Sequence, residues 1–254
     1  MKLIKSCIIA FSMYSKIPMP QFEWKEEDMK YMLCFFPWIG AVIGLCMIGW
    51  AWICQKFQIG NLAYLLIGTA IPILITGGFH VDGYMDTMDA LHSYQSRERK
   101  LEILKDSHIG AFSVIMLVLY YLIYIAAFSE VRDCRTLLII GIGFALSRCL
   151  SGIGVVTLQP AKKDGLLRTF ADNAEKKKVL IALLVQLILV MAGMFLLSWC
   201  IALFVLMGAA GTFAYYRYCS YKEFGGITGD TAGYFVLLCE VMIVIMAVVG
   251  SRFM

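Results

Sequence analysis

The chain has 254 residues, of which 61% are hydrophobic and only 16% charged, with a net charge of +4 and a mean hydropathy of +0.78. These values lie far outside the averages for water-soluble domains and exclude both a soluble globular enzyme and a disordered, charge-rich chain. They point to an all-α, polytopic integral membrane bundle forming one domain over residues 1–254.

Residues 1–20 place lysines 2, 5 and 16 around a short apolar run and end in "KIPMP" without a small-residue cleavage signature. This predicts an N-terminal interfacial helix rather than a signal peptide. Apolar stretches of about 17–25 residues, the length that crosses a bilayer, fall near 31–53, 61–77, 111–128, 136–157, 179–197, 199–215 and 231–249. About seven transmembrane helices are expected. The span at 61–77 is short, and 199–215 follows its predecessor so closely that the pair reads as a tight hairpin or a partly re-entrant element. Nine cysteines form no CxxC pair and sit mostly in apolar runs, so neither disulfides nor zinc are expected.

Positive charge is retained on the cytoplasmic side during insertion. Seventeen of the 22 Lys and Arg residues fall in the N-terminal segment and in segments 78–110, 158–178 and 216–230, against four at Lys56, Arg132, Arg135 and Arg252. The expected setting is a multi-pass protein of the cytoplasmic (inner) membrane, with the N-terminus, an acidic motif segment (78–110) and a Gly-rich loop (216–230) on the cytoplasmic face.

The acidic segment opens with "TGGFHVDGYMDTMDALHS", residues 76–93. Asp82, Asp86 and Asp89 have the spacing i, i+4, i+7 and share about 60° of arc on a helix. Like charges so placed repel unless a cation neutralises them. From Thr76 to Ser96 histidine is the only basic residue type, which argues against a solvated stripe relieved by Lys or Arg. Hard carboxylate ligands suit Mg²⁺ or Mn²⁺, and Mg²⁺ takes one or two carboxylates and fills its shell with water and phosphate oxygens; this predicts a phosphate-bearing substrate. All three histidines lie in this segment, at 80, 92 and 108. His80 is the candidate catalytic histidine, a histidine capping or bridging the helix start being the other reading, and Gly77 and Gly78 before it allow a sharp turn. Arg97 to Glu102 reads as an exposed helix with intrahelical ion pairs.

Late in the chain "YKEFGGITGDTAGYF" carries Gly225, Gly226, Thr228 and Gly229 into the last span, with Asp230 at the helix start. Such a loop can present backbone N–H groups to an anion, although an N-capping Asp explains it equally. Arg148 and Glu240 lie inside predicted spans, where charges are functional or paired; both should face the bundle interior.

"GGFHVDGYMDTMDAL", "KDSHIGAFSV" and "GGITGDTAGY", with "KIPMP" near the start, together resemble the cobalamin synthase family, the adenosylcobinamide-GDP ribazoletransferases, in register from about residue 10 to 240. Ala90 stands where that pattern has Gly, and His108 where an Arg is usual. The resemblance implies Mg²⁺-dependent transfer of the adenosylcobinamide phosphate moiety from adenosylcobinamide-GDP to α-ribazole or its 5′-phosphate, with release of GMP. The implied partners are these small molecules and membrane lipid, with no nucleic acid. In that setting Asp82, Asp86 and Asp89 would hold Mg²⁺, with Asp230 a further ligand or the base. Lys105, Asp106 and Arg148 would hold the nucleotide or phosphates, and the backbone from Gly225 to Gly229 would cradle an anion. One rival is a phosphoalcohol transferase with a CDP-activated donor, whose motif needs an Ala-Arg pair that "DGYMDTMDA" lacks. A cation transporter is the other, for which mid-membrane acids and repeated halves would be expected.

Overall fold

The computed structural model describes residues 2–161 and 175–254, and the described residues are helical throughout apart from turns and one isolated bridge. In chain order they form α1 (Lys2–Tyr14), a short α2 (Glu26–Met29), a 3₁₀ turn (Met32–Phe35), α3 (Phe36–Lys56), α4 (Asn61–Thr76), α5 (Phe79–His92) and α6 (Arg97–Ile103). Then come α7 (Ala111–Phe128), α8 (Cys134–Thr157), α9 (Lys176–Leu197), α10 (Trp199–Cys219), a π-turn (Ser220–Phe224) and α11 (Gly229–Ser251).

Six helical stretches are long and apolar enough to cross a bilayer, and α4 with α5 passes that test only as a pair bent by 95°. The bend sits at Gly77 and Gly78, with φ of +65° and +80°, a left-handed backbone that costs a residue with a Cβ. Beyond the bend, α5 carries three aspartates and two histidines that hydrocarbon would exclude and turns off α4. The predicted pair at 179–197 and 199–215 is two full helices separated only by Ser198, whose side chain accepts from the Ile201 N–H and caps α10. This removes the re-entrant alternative.

Burial sorts the helices into layers. In their most apolar stretches α8 is 78% buried and α11 67%, whereas α7 and α9 are 22% and 17% buried. Val118, Leu122, Ile188 and Leu189 on the outer helices stay exposed, which suits contact with acyl chains rather than water. Lipid is as apolar as leucine, so close packing replaces the hydrophobic effect between helices. Accordingly α3 meets α8 backbone to backbone, Gly40 against Phe144 and Gly44 against Gly141, with no room for a Cβ at either glycine.

Inside this core the Arg148 guanidinium donates to the Glu240 carboxylate at 2.6 Å and to the Phe144 carbonyl at 2.9 Å. Arg148 and Glu240 are 1% and 5% exposed, so the sequence expectation of interior charges holds, and each proves to be the other's partner. As a holder of nucleotide, however, Arg148 is corrected: its charge is spent on Glu240 inside the bundle.

The segments expected on one face do touch one another. The Lys16 N–H donates to the Ile75 carbonyl and the Glu175 N–H to the Lys30 carbonyl. Lys100 pairs with Glu223, and Ile227 bridges to Pro160. From the opposite set, Arg252 pairs with Glu130 beside Arg132. Much of the basic 158–178 segment lies outside the described residues.

Candidate active site

The site is built where α5 crosses the start of α11. A Cβ on Gly83 would stand 2.9 Å from the Asp230 carbonyl oxygen, and one on Gly233 would stand 3.3 Å from the His80 carbonyl oxygen. Two glycines therefore let the backbones meet, which brings Asp230 to the helix that carries the aspartate stripe. Asp82 is exposed, and Asp86, Asp89 and Asp230 are half-buried. Burial, and then the charges of Asp82, Asp230 and Asp89, push the Asp86 carboxyl up to about 7. Neither Asp82 nor Asp86 forms an ion pair or hydrogen bond with any described residue. Among the described residues no cation pairs with Asp82 or Asp86, while Asp230 stands close enough to raise Asp86.

Asp89 differs from its neighbours. It accepts from the Gly110 N–H at 2.6 Å and the Ser113 N–H at 2.8 Å, capping the start of α7 from 21 residues away and fixing α7 to α5. Among the described residues no three or more His, Cys, Asp or Glu side chains are gathered closely enough to hold a metal as a closed cage. Asp82 and Asp86 would nevertheless supply two carboxylates, a number Mg²⁺ commonly takes, and a cation there would favour the ionised form of an Asp86 carboxyl raised first by burial and then by its acidic neighbours.

His80 is not brought to the stripe. Its position is about 180–200° of helix rotation away from those of Asp82 and Asp89. The ring is 3% exposed and packs on Tyr14, Phe36 and Phe79 with centroids at 6.2, 5.6 and 5.6 Å. It faces a cavity of about 20 Å³, lined also by Thr69, Tyr120, Tyr124, Arg148 and Glu240, a space for about one water. The role this geometry gives His80 is fastening α1 and α3 to the start of α5.

The Gly-rich loop also departs from expectation, because the backbone donors of residues 225–228 are already used. Gly225 donates to the Tyr221 carbonyl, Gly226 to Ser220 and Ile227 to Gln159. The Thr228 N–H donates to Thr231 Oγ1 at 2.8 Å, and Thr228 Oγ1 accepts from the Thr231 N–H, closing a capping box on α11. The cap is thus Thr228, not Asp230, which lies in the first helical turn. Gly225 is needed for its left-handed φ of +79°, and Gly229 stays exposed at the helix start. The loop positions Asp230; it does not cradle an anion through Gly225 and Gly226.

Lys105 and Asp106 are exposed on the turn after α6, where Asp106 Oδ1 bonds His108 Nδ1 at 2.6 Å and accepts from its N–H at 3.0 Å. The expectation for α6 itself holds only for Arg99 and Glu102, which pair along the helix at 2.6 Å. Lys100 instead reaches Glu223 at 2.5 Å, and Arg97 donates to the Lys222 carbonyl at 3.1 Å, so α6 clamps the Gly-rich loop against the acidic segment. A residue given no role from the sequence also borders the site. Lys16, Gly77 and Asp82 line an open cleft of about 450 Å³ between the end of α1 and the start of α5. The "KIPMP" motif was its only sequence signal.

A family model for cobalamin-5-phosphate synthase matches residues 6–248. The chain belongs to that family. It is accordingly a transferase of cobalamin synthesis, which sets aside the cation-transporter and CDP-phosphoalcohol readings. Among its relatives a protein of Lachnoclostridium phytofermentans is 47% identical, covering 95% of this chain and 92% of the relative. One from Clostridium perfringens is 32% identical over 93% and 94%, and one from Geobacillus sp. 29% identical over 85% and 84%. Each is named adenosylcobinamide-GDP ribazoletransferase. No solved structure matches the chain.

Proposed function

We propose that this member of the family transfers the adenosylcobinamide phosphate moiety from adenosylcobinamide-GDP to α-ribazole or α-ribazole 5′-phosphate, releasing GMP, at the cytoplasmic face of the cytoplasmic membrane and with Mg²⁺. The observation that carries the chemistry is the set of Asp82 and Asp86 beside Asp230, with the Asp86 carboxyl raised to about 7 by burial and by its acidic neighbours. The names of the relatives support the substrates, and the basic bias of the segments around the site supports its orientation.

Asp82 and Asp86 would hold the metal, with water and substrate phosphate completing the shell. Bound there, Mg²⁺ would supply positive charge against the diphosphate and the departing GMP. The acceptor hydroxyl oxygen attacks the phosphorus next to the cobinamide, the bond from that phosphorus to the bridging oxygen breaks, and GMP leaves as a phosphate that needs no strong acid. Asp230, whose backbone is fixed against Gly83, accepts the hydroxyl proton. Asp89 holds α7 in place through Gly110 and Ser113. Lys105, on the exposed turn, supplies charge to the nucleotide.

The test is transfer by protein reconstituted in liposomes, following GMP and corrinoid product together from adenosylcobinamide-GDP and either acceptor. Product that disappears with EDTA and in Asp82→Ala supports the reading. Folded protein that makes none removes it.

A further inference from the structure

Lys16 is the second residue beyond α1, and two contacts of its own and one of a neighbour hold it in one place. Its N–H donates to the Ile75 carbonyl at 2.7 Å. Its methylenes lie directly over Gly77, where a Cβ would collide with Cγ, Cδ and Cε, and Gly77 is held at a φ of +65°. Tyr14, two residues before it, packs on Phe36 at a centroid distance of 4.6 Å. Yet the ammonium forms no ion pair with any described carboxylate, although Asp82 lines the same cleft. A lysine stem laid along a glycine, with its charge at an open cleft and paired with no described carboxylate, is a cation placed to meet a ligand.

The cleft adjoins the carboxylate face through Asp82, which belongs to both. A phosphate seated between them would meet the metal-binding carboxylate side on one flank and the Lys16 ammonium on the other. Lysine serves phosphate as a point charge, and a stem already packed loses less freedom when the charge is engaged. We propose that Lys16 binds a substrate phosphate in this cleft, either the acceptor's 5′-phosphate or the donor's diphosphate; the proposal rests on the transfer reaction above.

The experiment uses Lys16→Met, which keeps an apolar stem over Gly77 and removes the charge, and Lys16→Arg, which keeps the charge. Loss of a charge-assisted contact corresponds to about a 10- to 100-fold weaker interaction. If the acceptor phosphate is the ligand, Lys16→Met raises KM for α-ribazole 5′-phosphate by that factor and leaves α-ribazole unchanged. Where the diphosphate is the ligand, KM for adenosylcobinamide-GDP rises equally with both acceptors. In either case Lys16→Arg recovers most of the loss, and equilibrium binding of α-ribazole 5′-phosphate or GDP, measured without turnover, shows the same split. Unchanged KM values and binding in Lys16→Met overturn the proposal, as does a fall in kcat alone with a lower Tm and no recovery by Arg. Wild-type protein that performs no transfer removes the reaction, and the binding measurements then still decide the role of Lys16.

Discussion

Arg148 and Glu240 hold each other at 2.6 Å across two interior helices, 92 positions apart in sequence. Removing one partner of such a pair strands a charge, at a cost of about 3–5 kcal/mol, whereas replacing both by apolar groups is often neutral. Glu240→Leu should therefore lower the unfolding midpoint in detergent markedly, and Arg148→Met with Glu240→Leu should recover most of it. A double variant as unstable as the single one would show that the charges do more than balance each other.

The crossing at Gly83 sets where Asp230 stands. Gly83→Val places side-chain atoms into the Asp230 backbone, 2.9 Å away already at Cβ, and overpacking of this kind costs about 1–3 kcal/mol. A shift of about 1 Å between reacting groups can cost about 100-fold in rate. Transfer should fall by about that factor while helix content by circular dichroism and monodisperse behaviour in detergent persist.

Titration of Asp86 gives a signed pH effect. With its carboxyl at about 7 in the metal-free protein, Mg²⁺ must displace a proton at and below neutrality, so its affinity falls as pH falls below about 7. Calorimetry in buffers of different ionisation enthalpy should detect proton release near pH 7, and Asp86→Asn should abolish it. Without metal the folded state binds this proton more tightly than the unfolded state, in which the carboxyl titrates in its ordinary range, so this group's contribution to stability declines as pH rises from that range to about 7.

Asp89 separates architecture from chemistry. Because both its oxygens accept backbone N–H groups of the α7 start, Asp89→Ala should cost about 1–2 kcal/mol, as lost caps do. Asp89→Asn, which keeps one acceptor oxygen, should cost less and retain Mg²⁺ binding by calorimetry. Equal loss of metal binding in Asp89→Asn and Asp82→Ala would make Asp89 a ligand after all.

The parts of this molecule that were legible in the sequence are those governed by local rules. Span positions followed from apolar length, the bend from Gly77 and Gly78, and the shared face of Asp82 and Asp86 from the helical repeat. What escaped depends on contacts between distant segments. The Gly-rich loop looked free to bind an anion because the Gln159 carbonyl that accepts from Ile227 lies 68 positions earlier. Lys100 looked like an exposed helix charge because Glu223, its partner, is 123 positions away. His80 was weighed by its neighbours in sequence, whereas rotation about α5 turns it to the opposite side. Lys16 carried only a motif, and its setting emerged once Ile75 and Gly77 were seen beneath it.

The acid cluster is also assembled from segments far apart in the order of translation. Asp82 and Asp86 leave the ribosome well before Asp230, which arrives on α11 and reaches them only when that helix packs against Gly83. A chain still being synthesised, or one truncated before residue 229, therefore carries the α5 aspartates without Asp230. On the proposed chemistry, competence for transfer then waits until α11 has packed against α5.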